Sequence, residues 1–152
     1  MASVSKPRAA WEDRFRRPTV DELLEGLNKQ LLSLAESWRE RMSETPGVRE
    51  DLAWQGIPFR WTLVYRSESR PDRPLAYLVP QPVRAYVAIP IATDAVNRLP
   101  LRKLSKPVRD SLGAASLVNG LYWAQWDLVS KTQLDELMLI ASACLADDTV
   151  AV

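Results

Sequence analysis

Between Phe59 and Ile91 apolar and polar side chains alternate with a period of two. In the first run Trp61, Leu63 and Tyr65 fall on one side and Thr62, Val64 and Arg66 on the other, the pattern of a strand with one face more deeply buried. The alternation predicts strands from about Phe59 to Arg66, Leu75 to Val79 and Arg84 to Ile91, the last with Ala85, Val87, Ile89 and Ile91 on one face. The polar stretch from Ser67 to Pro74 holds two prolines and reads as a long exposed connection rather than a two-residue turn. Pro80-Gln81-Pro82 lacks the amide donors of a continuous ladder and reads as the next turn. A fourth strand is predicted from Leu121 to Val129, with Tyr122, Ala124, Trp126 and Leu128 facing the core.

Elsewhere the period lengthens to three and four. Leu23, Leu24, Leu27, Leu31, Leu34, Ala35, Trp38 and Met42 form the stripe of one amphipathic helix running to about Ser43. Thr19 and Glu22 give it a capping box, and Pro46-Gly47 ends it. Val48 to Ala53 reads as a short second helix. Thr93-Asp94 starts a turn of helix that Pro100 stops, and Ser105 caps another carrying Val108, Leu112 and Ala115, with Pro107 in its first turn. Gly120 breaks that pattern. Ser130 and Gln133 repeat the capping-box signal ahead of Leu134, Leu137, Met138, Ala141 and Leu145. The class is α+β, an antiparallel sheet of about four or more strands packed against N-terminal and C-terminal amphipathic helices. Residues 1–17 read as a flexible tail with at most a docked turn around Trp11 and Phe15, residues 18–146 as one domain, and 147–152 as a second tail.

Composition narrows the function. Twenty basic and nineteen acidic side chains leave a net charge of +1, which supplies no global field for nucleic acid or an anionic membrane. Lys6, Arg8, Arg14, Arg16 and Arg17 are interrupted by Glu12 and Asp13, so no nucleic-acid partner is expected. The N-terminal stretch has no apolar core like that of a secretion signal, and no apolar run approaches the ~20 residues that span a bilayer. With the single Cys144 no internal disulfide can form, and the expected compartment is the cytoplasm. There is no histidine, which excludes imidazole bases, histidine-based triads and histidine metal sites.

The stretches PTVDELL, LAWQGIPFRWTLVYR, LAYLVP, YVAIPI, LSKPVRDSL and WAQWDLVSKTQLDELMLI, with Trp38 between the first two, resemble in order and spacing the bacterial domain-of-unknown-function 3788 family. The resemblance covers roughly Pro18 to Leu145. The chain departs from the family pattern at Arg60, where a glycine usually precedes the strand tryptophan, and at Cys144-Leu145-Ala146, where members often end the helix with a lysine. The resemblance implies helices packed on an antiparallel sheet and no assigned activity.

Aromatic side chains interleave with arginines on the predicted strands. Arg60, Trp61, Tyr65, Arg66, Tyr77, Arg84, Tyr86 and Trp123 could together hold a planar or anionic small molecule through cation–π contact and bidentate hydrogen bonds. The competing reading makes the rings core packing and the arginines solvated edge residues. Carboxylates at Asp21, Glu22, Glu25, Glu36, Glu40 and Glu44 are interleaved with Lys29, Arg39 and Arg41, which favours ordinary pairing over a metal site. Cys144 reads as a buried thiol, and Ser105 and Ser130 as caps rather than nucleophiles. No catalytic residue, metal or cofactor is expected. The leading expectation is a binding or interaction module without catalytic machinery, forming a homodimer through a sheet edge or aromatic patch. The alternative is a small-molecule-binding protein with an aromatic and arginine pocket between the first helix and the sheet, and the third is an enzyme of unassigned class. A cleft of ~300 Å³ or more holding rings and an arginine would point to a ligand, and a flat apolar patch to a partner.

Overall fold

The structure is a computed structural model that describes residues 9–150, with side chains described for residues 9–146. Two helices, α1 (Val20–Glu25) and α2 (Lys29–Ser43), lead into β1 (Val48–Trp54), β2 (Trp61–Ser67), β3 (Arg70–Val79) and β4 (Tyr86–Ala92). A turn of helix, α3 (Thr93–Val96), and a 3-10 turn at Leu101–Lys103 precede α4 (Lys106–Gly113). The hairpin of β5 (Ser116–Val118) and β6 (Leu121–Asp127) and the closing helix α5 (Lys131–Val150) complete the fold. The six strands form one antiparallel sheet in the order β1-β2-β3-β4-β6-β5. The α+β class with helices at both ends is as the sequence predicts.

The period-two alternation is the organising fact. Leu63 and Tyr65 of β2, Ala76 and Leu78 of β3, Val87, Ile89 and Ile91 of β4, and Ala124 and Trp126 of β6 turn to one face and join the main core. Onto it pack Leu34, Ala35, Trp38 and Met42 of α2 and Leu134, Leu137, Ile140, Ala141 and Cys144 of α5. Each large aliphatic side chain among these is worth about 1.5–3 kcal/mol when removed from water, offset by the ordering of its rotamers. Arg41 of α2 pairs with Asp135 of α5, tying the two long helices across the top of that core.

Several expectations are corrected. The first helical stripe is split: Gly26 closes α1, and the Asn28 carboxamide accepts from the Leu31 amide to start α2. Asn competes for backbone amides in a way that suits a cap better than a helix interior. Leu27 lies in the break and is still buried, so the apolar spacing survives although the helix does not.

Val48 to Ala53 is not a helix but edge strand β1, whose Leu52 faces the helices opposite Leu63. Its consecutive Arg49, Glu50 and Asp51 suit a partly exposed edge. The connection after β2 is a tight two-residue turn, since Ser67 pairs with Arg70 across Glu68-Ser69. The prolines sit in and beside a bulge: Arg66 pairs with Pro74, and the Arg66 Nε donates to the Pro71 carbonyl at 3.1 Å. β5 was not expected. Asn119 and Gly120, at φ of 51° and 79°, form the two-residue loop that returns β5 to β6, and paired left-handed residues are what a type I′ hairpin turn requires.

The N-terminal segment is docked through Trp11, whose Nε1 donates to the Phe59 carbonyl at 2.9 Å, while the Trp61 Nε1 donates to the Asp13 carbonyl at 2.6 Å. Phe15, expected beside Trp11, is 87% exposed. Lys6 and Arg8 lie outside the described residues. The backbone of α5 continues to Val150, past the expected end at residue 146. Among the described residues no helix is long and apolar enough to cross a membrane.

Candidate functional site

The sheet divides the eight residues singled out by their rings and charges. Tyr65 points into the helix-covered face, edge-on to Trp38. Trp61 closes the end of the sheet against Trp11 and Leu23, edge-on to Trp54. Arg60 lies over the Trp11 ring at 4.9 Å and pairs with Glu12 at 3.6 Å. Its φ of 60° is left-handed, a conformation costly for a side chain with Cβ, and the cation–π contact offsets part of that cost.

Tyr77, Tyr86 and Trp123 come together on the opposite face, joined by Phe59, which stands 5.5 Å from the Tyr77 ring and 5.9 Å from that of Tyr86. Trp123 lies 5.6 Å from Tyr77 on the other side. Tyr77 and Phe59 pack over Val64 and Ala88, leaving Tyr77 only 6% and Tyr86 only 4% exposed, while Trp123 also lines a hollow of about 400 Å³ beside Ser116. Burial raises both phenol pKa values, and Arg66 and Arg84 respectively oppose the shift. Tyr86 also joins the cluster of Trp11, Leu23, Trp61 and Val79, so these rings run on from the end of the sheet, and Tyr65 stands apart on the helix-covered face.

Three of the eight line clefts, each a different one: Arg84, Tyr65 and Trp123. A cleft of about 510 Å³ opens where the N-terminal ends of α4 and α5 meet the end of β6, and of the eight only Arg84 reaches it. Its apolar side is Trp126, Val108 and Pro107, with the Trp126 Nε1 held by the Val108 carbonyl at 3.1 Å. Residues at two helix starts build its polar side. Ser130 accepts from the Gln133 amide at 3.1 Å, and the Gln133 side chain accepts from the Val129 amide and donates to the Asp127 carbonyl. This is the expected reciprocal cap, displaced by one residue on the return bond.

Ser105 stands at the N-cap of α4, but its hydroxyl donates to Glu136 at 2.9 Å instead of capping, and its amide donates to the same carboxylate. Glu136 thus lends α4 the negative charge that its own first turn lacks. A carboxylate is too weak a base to strip a serine hydroxyl near neutrality, so the contact orders α4 and does not create a nucleophile. Arg84 is held by Asp127 at 2.8 Å and lies 5.1 Å over Tyr86. Arg84 and Asp127 thus pair with each other and Glu136 is held by Ser105, and Ser111, Thr132 and Gln125 are among the remaining lining.

A second cleft of about 500 Å³ lies between α2 and β1, the region expected for an aromatic and arginine pocket. Beside it sits a network that sequence reasoning missed. Glu50 accepts two bonds from Arg39, at 3.1 and 2.9 Å, and one from the Tyr65 hydroxyl at 2.8 Å. Burial foremost, and then the Glu50 carboxylate, hold the Tyr65 phenol well above its ordinary pKa, while hydrogen bonding to Glu50 raises that of Arg39. This network fastens α2 to the sheet and commits the Glu50 carboxylate to the Tyr65 hydroxyl and to Arg39, while Glu36, Glu40, Ser43 and Arg49 complete the polar lining of the cleft.

Sequence could have flagged the first cleft from the serines at two helix starts, Ser105 and Ser130, although only Ser130 caps through its side chain. It could not have flagged the second network while Glu50 was read as helical. Among the described residues, no group of three or more Cys, Asp or Glu is placed to hold a metal ion. No family model matches the chain, and neither a curated protein nor a solved structure matches it.

Proposed function

We propose that this chain is a cytoplasmic binding module whose ligand, a small neutral molecule bearing hydroxyl or amide groups, sits in the cleft between α4, α5 and β6. The observation that carries the reading is the pairing of an indole-floored hollow of about 510 Å³ with a rim of serine, threonine and glutamine. The volume falls within the ~300–1,000 Å³ of small-molecule sites. A neutral ligand is favoured because the charges on the rim already have partners, Arg84 in Asp127 and Glu136 in the Ser105 hydroxyl and amide. The buried thiol of Cys144 and the want of any disulfide support a reducing compartment. Membership of the domain-of-unknown-function 3788 family is part of the same proposal. Its support is that Arg60, at the family's usual glycine, occupies the left-handed backbone region that glycine enters freely.

The test is thermal unfolding against a panel of neutral sugars, polyols and small amides at millimolar concentration. Ligand at about ten times its Kd adds roughly 1.4 kcal/mol, a rise of about 3–5 °C for a chain of this size. Ser111→Trp, which fills the cleft from its rim, abolishes the rise. A panel that moves nothing, or a rise equal in the filled variant, overturns the proposal.

A further inference from the structure

The sheet has two free edges, and they differ in kind. Edge β1 carries Arg49, Glu50 and Asp51 in succession, the charged guard that keeps an edge from pairing with another chain. Edge β5 carries none. All three of its residues are exposed, with Leu117 at 55% and Val118 at 49%, and no residue from Ser111 to Trp126 is charged.

The Asn119-Gly120 turn also fixes which backbone groups of β5 are free. In a two-residue hairpin the flanking pair, Val118 and Leu121, exchanges both backbone bonds, so the next pair, Leu117 and Tyr122, does not. The Leu117 amide and carbonyl therefore turn outward, toward the open edge.

We infer that two copies of this chain pair antiparallel through β5, across a two-fold axis at Leu117, joining their sheets into one. The occupant is a second copy because the edge is self-complementary. A two-fold sets Leu117 against Leu117 of the partner subunit with no like charges opposed, and the two outward-facing backbone groups satisfy each other. Docking β5 against β1 would instead bury Arg49 or Asp51 beside an apolar strand. A strand of three residues covers only a fraction of the ~800 Å² per partner of a standard interface, so the dimer is weak, with a Kd on the order of 10–100 μM. This inference does not depend on the cleft having a ligand.

Sedimentation velocity from about 5 to 500 μM tests it, a range that brackets that Kd. The wild type shifts from monomer to dimer across the range, Leu117→Lys and Leu117→Glu each stay monomeric, and an equimolar mixture of the two variants associates again. Val83→Lys, at an exposed apolar position away from this edge, associates like the wild type. Recovery in the mixture separates a contact at Leu117 from damage to the fold, which mixing would not repair. A wild type that stays monomeric throughout, single variants that associate as the wild type does, or a mixture that stays monomeric would overturn the inference.

Discussion

Replacing Tyr65 by Phe removes one atom from the network that joins α2 to the sheet, and its cost can be worked from the geometry. The lost bond is 2.8 Å long and made to a carboxylate, in a residue that is almost wholly buried. Hydrogen bonds to charged partners contribute about 1.5–3 kcal/mol. Glu50 keeps both bonds from Arg39, so the carboxylate is not abandoned and the lower part of that range applies, about 1.5–2 kcal/mol.

Glu50→Ala is harsher. It strands the phenol hydroxyl and leaves Arg39 without its partner, a change that costs about 3–5 kcal/mol in a fully buried pair. Here the Arg39 and Glu50 side chains are 30% and 26% exposed, and water softens the loss to about 2–4 kcal/mol. Urea unfolding followed by tryptophan fluorescence measures both, and the double variant closes a cycle. Its cost should fall short of the sum of the single costs by about 1 kcal/mol or more, because both variants remove the same bond. Additive costs, or a Glu50→Ala variant no less stable than Tyr65→Phe, would refute the claim that these three side chains act as a unit.

Three further outcomes follow from the same coordinates. Burial holds the phenols of Tyr65, Tyr77 and Tyr86 above their ordinary pKa, so the unfolded chain gives up these protons first. Their contribution to stability is complete below about pH 10 and lost as pH climbs through the folded values, and Tyr65→Phe should flatten the alkaline fall in the unfolding midpoint. Gly120→Ala puts a Cβ at φ 79° in the β5–β6 turn and should cost about 1–2 kcal/mol in chemical denaturation, whereas a neutral result would argue against the type I′ geometry. Trp11→Ala should lower stability by about 2–4 kcal/mol, less than a central core truncation because the ring sits at the rim of the sheet, and an unchanged thermal midpoint would mean that the N-terminal segment does not belong to the folded unit.

What the sequence revealed and what it hid divide along physical lines. Apolar runs from Trp61 to Ile91, bounded by turn residues, located the central strands because both faces of those strands are buried, and the same signal failed at the edges. β1 reads Val-Arg-Glu-Asp-Leu-Ala-Trp, and with one side open to water its charges obscure the period, so a strand resembles a helix. The bulge that carries β3 past Pro71 and Pro74 is set by pairing with β2, which no local pattern reveals. Six of the eight aromatic and arginine candidates lie on strands, with Arg60 and Arg84 in the connections just before β2 and β4, yet alternation itself sends Tyr65 to one face and Tyr77, Tyr86 and Trp123 to the other. A list of rings therefore could not make a pocket. The cleft forms instead where two helix starts meet, a tertiary coincidence signalled only by Ser105 and Ser130.

The Asn119-Gly120 pair shows how a local signal, correctly weighted, reaches function. Gly120 taken alone marks a break between two elements. Asn-Gly between Leu117-Val118 and Leu121-Tyr122 specifies a left-handed pair of residues, hence a type I′ turn, hence two paired strands in a single register. That register places Leu117 with its polar backbone outward at the margin of the sheet, in a stretch from Ser111 to Trp126 without charge. An edge left in that state is a template for another strand, and the chain guards only the opposite edge with Arg49, Glu50 and Asp51. Two residues of turn chemistry thus set which backbone groups lie outward at that edge, the feature on which the proposed pairing rests.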